Sequence, residues 1–320
     1  MNRSFFSRLQ RTVLRSAPAV FILRKSKVTS LPGFQGVPIF DVTKFFFGQV
    51  QTIGMTERAS AIAFNFIMAV PPAIIFLFTL IPYLPISKQF ENELYGIIKD
   101  VIPGEKDNSV LIKFLKDFIN NPRNGLLSLG FILSLFFSSN AMMGIMRSFD
   151  KNYIGFKKRN GLEKRVIALR ITSVLFVMVF AAILLLVAQG AGLKWIGIKS
   201  RTIRAVIMDA RWVVIIFLFA GCISYIFRHA PAVHKKWKLL NPGSLLATFL
   251  MLLFTVGFSW YVANFGQYNK LYGSIGTILI LMLLIYFNSL VLLIGFELNV
   301  SITSLKKIAE ERNSHEAQSS

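Results

Sequence analysis

Long apolar runs alternate with short, polar and mostly basic connections along this chain. Six runs are long enough to cross a bilayer: residues 59–81, 125–146, 166–189, 211–227, 244–265 and 275–300. All but the fourth exceed 20 residues, and a helix of ~20 residues crosses the ~30 Å hydrocarbon core. The fourth is the shortest, with a start near Val206 as the longer alternative. Lipid offers no partner to an unpaired backbone amide, so runs of this kind must be helical. The pattern therefore predicts an all-α, polytopic membrane domain over residues 45–305. It is preceded by a basic segment, 1–44, and followed by a polar tail, 306–320, expected to fray.

Shorter amphipathic stretches lie at the faces of the bundle. "FFFGQVQTIGMTERAS" (residues 45–60) reads as an interfacial helix leading into the first run. "LYGIIKDVIP" and "VLIKFLKDFI", separated by Pro103-Gly104, read as two short helices in the 82–124 connection. They serve either as covers over helix ends or as a lid over an opening. "MNRSFFSRLQRTVLR" sets Phe5, Leu9 and Val13 at helical spacing, with no apolar core of signal-peptide type. A helix lying on anionic lipid and an organellar transit peptide both fit it.

Composition supports the membrane assignment. The hydrophobic fraction is 54% and the mean hydropathy +0.58 over 320 residues, more apolar than an ordinary soluble domain. The net charge of +21 lies between the apolar runs, where basic loops fix orientation and meet anionic headgroups. Six spans put both termini on one side. That side holds 24 of the 36 Lys and Arg residues and the other side 12. The bias predicts cytoplasmic termini in a multi-pass protein of the bacterial inner membrane. The expected partners are membrane lipids through their anionic headgroups, with no specific nucleic acid. One cysteine, Cys222, leaves no intrachain disulfide.

Candidate functional positions are the polar groups inside or at the ends of the spans. Asn288 falls near the middle of the sixth span, and Asn65 and Asn140 lie toward the inner side. Such groups either bond between helices or converge on a polar cleft. Pro71-Pro72 interrupts the first span, where each proline removes a backbone donor. The result is a packing kink or a broken helix exposed to a solute. Arg147, Asp150, Arg170 and Glu297 mark the inner ends of spans two, three and six. Glu297, a carboxylate that needs a partner if buried, is expected to pair with Arg170 or Arg147. The connector "NFGQYNKLYGSIGT" (residues 264–277) is too short for anything but an antiparallel hairpin between spans five and six. Tyr268 and Tyr272 suit the interfacial aromatic belt, Gly273 and Gly276 a tight turn, and Asn264 and Asn269 helix-end bonding.

The stretch from 242 to 299 also resembles the end of the YihY/virulence factor BrkB family. The matching residues are Pro242-Gly243 with Leu246-Ala247-Thr248, then Tyr261, Asn264-Phe265, Tyr268-Asn269 and Tyr272-Gly273-Ser274, and finally Gly295 with Glu297-Leu298-Asn299. The similarity extends over roughly residues 45–305. In the first span Ala63-Phe64 and Pro72 match, whereas Asn65 and Ala69 stand where the family usually has Tyr and Ser. The resemblance implies a six-helix bacterial inner-membrane protein without a settled activity. No cofactor is expected. Members have been described as serum-resistance factors, linked to lipid or lipopolysaccharide export, and labelled ribonuclease BN. A transporter or flippase for an amphiphile is the first expectation, and a non-catalytic organiser of the envelope the second.

The nuclease label finds no residue set. Metal-dependent phosphoesterases need clustered His and carboxylate ligands. The three histidines are His229, His234 and His315, and no acid lies between Asp209 and Glu297. The reading is of a protein that is not an enzyme.

Overall fold

The structure is a computed structural model that describes residues 17–52, 54–80, 113, 117, 124–150, 156–195, 201–233, 236–265 and 274–319. Phe5, Leu9 and Val13, most of 82–124, and Tyr268, Asn269, Tyr272 and Gly273, for which the sequence carries expectations, lie outside the described residues.

Eight α-helices longer than one turn account for nearly all of the described chain: α1 (Ala17–Ser26), α2 (Ile39–Thr52), α3 (Met55–Leu80), α4 (Asn124–Phe149), α5 (Gly161–Trp195), α6 (Arg201–His229), α7 (Pro242–Phe265) and α8 (Ser274–Ser319). Five of them, α3, α4, α5, α7 and α8, are long and apolar enough to cross a membrane. The apolar part of α6, Val213–His229, is shorter. This matches the predicted order of spans, including the short fourth. Helix α3 continues through Pro71-Pro72. The tail does not stop at Val300: α8 runs on through the polar residues to Ser319. Its "SLKKIAEER" stretch carries strong helix formers and a Lys306–Glu310 pair one turn apart, which extend the helix past its apolar part.

The six apolar helices form a closed ring. Each packs against its neighbour in the chain, and α8 closes on α3. The stretch 45–60, expected as one interfacial helix, is divided: its first part belongs to α2 and residues 55–60 open α3. Helix α2 lies against α8, where Val42 and Phe34 bury against Ile302. We call this end of the bundle, where α3 begins and α8 leaves, the near end.

Packing is uneven along the spans. The main core gathers Met55, Ile62, Ile145, Met146, Phe149, Ile171, Phe227, Leu293, Phe296 and Val300, all from the near half. Phe149 and Phe296 stack with ring centroids 3.9 Å apart, and Phe227 meets Phe149 edge-on. In the far half, α3 and α4 stay in contact: Gly130 lets α4 approach the backbone of Phe76, and Phe76, Phe131 and Phe176 cluster there. The other four helices are different. No described residue at 173–182, 213–222, 249–262 or 278–288 is buried. Among the described residues, the near half of the ring is filled with buried side chains and these four stretches are not.

Candidate functional site

The near end holds the most deeply buried charges among the described residues. Glu297 of α8 is fully buried and Arg58 of α3 is 7% exposed; Arg58 Nη1 donates to Glu297 Oε1 at 2.7 Å. Arg58 Nη2 donates to the carbonyl oxygen of Ser148, in the last turn of α4. That carbonyl is one of the four that a helix C-terminus leaves without an internal partner, and a cation there also suits the helix dipole. One guanidinium thus ties three helices, using the fork geometry that a lysine lacks.

This corrects the expected pairing. Arg147 and Arg170 are exposed, whereas Arg58 fills the place against Glu297. Helical phase explains the difference. Ile145, Met146 and Phe149 form the buried face of α4, and Ala168, Ile171 and Thr172 that of α5, so Arg147 and Arg170 fall off those faces. The readable signal for Arg58 is its position: a charge directly before an unbroken apolar run, on the face of Met55, Ala59 and Ile62.

A second buried network joins α7 to α8. Asn241 caps α7: its Oδ1 accepts from Ser244 N at 2.8 Å, and Pro242 occupies the first helical position, where no N–H is needed. Asn299 of α8 reaches across. Its Oδ1 accepts from Gly243 N at 2.9 Å, and its Nδ2 donates to Asn241 Oδ1 at 2.5 Å. The two backbones touch. A Cβ on Gly243 would stand 2.1 Å from Gly295 O, and one on Gly295 would stand 2.5 Å from Gly243 O. The Pro242-Gly243, Gly295 and Asn299 positions of the sequence motif are therefore one junction. Asn241 was missed, although Asn before Pro is a legible helix start.

The intramembrane asparagines do not come together. Asn65 Nδ2 donates to Ala61 O, and the side chain lies against Gly144 between α3 and α4. Asn140 Oδ1 accepts from Arg165 Nη1 at 2.5 Å between α4 and α5, and the same guanidinium sits 4.6 Å over the Phe136 ring. Asn288 Nδ2 donates to Leu284 O, with Thr255 Oγ1 3.5 Å from Asn288 Oδ1 between α7 and α8. Asp150 pairs with Lys164 at 2.7 Å. Pro72 is half-buried within α3. Asn264 falls in the last turn of α7. Among the described residues, no group of three or more His, Cys, Asp or Glu could hold a metal ion.

Outside the core, the near end carries a groove of about 660 Å³ between the connection before α7 and the start of the polar part of α8. Lys236, Lys238, Lys306 and Lys307 line it, with Trp237, Leu240 and Ile302 as apolar walls. Trp237 Nε1 donates to Thr303 Oγ1 at 3.1 Å, fixing the connection to α8. Further along, Arg159 donates to the carbonyl oxygens of Ala230 and Pro231, so the two near-end connections are bound to each other.

A closed ring of apolar helices, with its buried ion pair and most of its basic residues at one end, is a polytopic α-helical membrane protein. The family described as Virulence factor BrkB matches residues 46–320, and the chain belongs to that family. It is similar to the ribonuclease-like protein YfkH of Bacillus subtilis (strain 168), with 28% identity over 81% of this chain and 94% of the relative. A UPF0761 membrane protein of Tolumonas auensis is 33% identical over 85 residues, 27% of this chain and 28% of the relative. One from Stenotrophomonas maltophilia (strain K279a) is 34% identical over 85 residues, 27% of this chain and 20% of the relative. No solved structure matches.

Proposed function

We propose that this protein moves a lipid or another amphiphile across the bacterial inner membrane, with its near end and both termini in the cytoplasm. The observation that carries this reading is the uneven packing. In four of the six spans the described residues at 173–182, 213–222, 249–262 and 278–288 are not buried, while the near end is closed by the Phe149–Phe296 stack and the Arg58–Glu297 pair. A bundle packed at one end, with unburied apolar side chains on these stretches of four spans, suits a substrate with an acyl chain. The excess of basic residues on the near side supports the orientation.

The reading makes and breaks no covalent bond, so it departs from the ribonuclease-like name of the Bacillus relative. That name supports no activity here without a residue set to carry it. The test is reconstitution of the purified protein into vesicles with headgroup-labelled phospholipid in the inner leaflet. An impermeant quencher added outside should bleach the inner label faster than in protein-free vesicles. Equal rates would remove the transport reading.

A second reading, a non-catalytic organiser of the envelope, is favoured by one observation. Asn65, Asn140 and Asn288 each bond locally in a different helix pair instead of lining one path. The same vesicle experiment separates the two.

A further inference from the structure

We infer that the near-end groove is a binding site for the headgroup of an anionic glycerophospholipid, held from outside the bundle and apart from any transport path.

Charge comes first. Among the described residues, four lysines line the groove against one carboxylate, Glu310, whose Oε1 lies 3.6 Å from Lys306 Nζ. Lys236 and Lys238 are exposed and Lys307 is half-buried, so their ammonium groups remain available to a ligand. Ammonium groups on flexible stems act as point charges and read negative charge rather than a planar shape. The start of α7 adds its partial positive charge to the same place. Its amides are already committed, however: Gly243 N to Asn299 and Ser244 N to Asn241, while Pro242 has none. The lysines therefore bind the anion, and the Asn241–Asn299 junction forms a fixed floor.

Size and apolar surface then choose the ligand. At about 660 Å³ the groove is far larger than a phosphate ion and falls in the usual range for sites that hold a whole small molecule. Its walls are apolar as well as basic, which an inorganic anion does not use. Leu240, part of the wall, is 67% exposed. From there Leu245, Phe249, Leu253 and Val256 follow one another along the outer face of α7, all exposed. Residues three and four apart share a helix face. The stripe leads from the groove along an apolar span, as an acyl chain would. A headgroup phosphate among the lysines, the glycerol region against Leu240 and a chain along α7 satisfy every part of the surface at once.

The proposal does not depend on transport, since a protein that moves no lipid can hold one. The full chain in detergent should be titrated with phosphatidylglycerol and, separately, with phosphatidylcholine, and read by native mass spectrometry. Phosphatidylglycerol should remain bound where phosphatidylcholine does not. The triple substitution Lys236→Gln, Lys238→Gln, Lys307→Gln should weaken it roughly a hundredfold. Lys157→Gln with Lys158→Gln, an equal kind of change on the neighbouring exposed connection, should leave affinity unchanged. All five side chains reach solvent, so both variants should keep the wild-type melting curve. Equal binding of the two lipids, unchanged affinity in the triple variant, or the same loss in the control variant would each overturn the site. Displacement of the lipid by millimolar inorganic phosphate would instead make it a small-anion site.

Discussion

At the scale of single residues, the near end is held by side chains that serve more than one partner. Arg58 bonds Glu297 and the end of α4; Asn299 bonds Gly243 and Asn241. Removing one partner of a buried ion pair leaves the other charge without compensation, which costs about 3–5 kcal/mol. Arg58→Met and Glu297→Met should therefore each lower the melting temperature sharply in detergent, and the double substitution should lose less than the sum. Strict additivity would mean that the pair contributes nothing as a pair. Arg147→Gln and Arg170→Gln, which change exposed arginines, should stay within about 0.5 kcal/mol of wild type. Asn299→Ala should cost about 1–3 kcal/mol, because the Gly243 amide loses its acceptor inside the protein. Sequence marked Glu297 as a charge that needs a partner but named the wrong arginines. Three arginines stood at one depth, and only their rotational phase, set by helix packing, decides which turns inward.

At the scale of helices, the apolar runs were legible because crossing a membrane fixes both length and composition. Their ends were less so. Helix α6 begins at Arg201, ten residues before its apolar run, and α8 continues 19 residues past Val300. A hydropathy pattern marks where lipid ends and says nothing about where helical hydrogen bonding ends. The Gly243–Gly295 contact was visible only as two members of a motif. The reason for them is the approach of α7 to α8. In an ordinary helix, Gly→Ala stabilises by about 1 kcal/mol. Here Gly295→Ala should instead destabilise, by about 1–3 kcal/mol, since its Cβ would stand 2.5 Å from Gly243 O and 2.7 Å from Ala247 Cβ. Thermal unfolding of Gly295→Ala beside Gly257→Ala, where a Cβ meets nothing within 4 Å, reads the difference in sign.

At the scale of the whole molecule, the contrast between the packed near half and the unburied stretches described in four of the spans was not legible. Each span is apolar along its length, and sequence does not separate a side chain facing lipid from one facing a gap. The charge bias predicts a sidedness, and it is testable. In a Cys222→Ser background, Asp41→Cys, Lys157→Cys and Glu311→Cys should all resist an impermeant maleimide on intact spheroplasts, and Gly125→Cys should react. The opposite pattern would invert the protein in the membrane. The unbroken α8 adds a mechanical consequence. Its 46 residues make a rod of roughly 69 Å, about twice the thickness of the hydrocarbon core. A change of about 10° in the tilt of such a rod carries its tip some ~12 Å, so a small adjustment of the sixth span among its neighbours is delivered outside the bilayer as a large displacement.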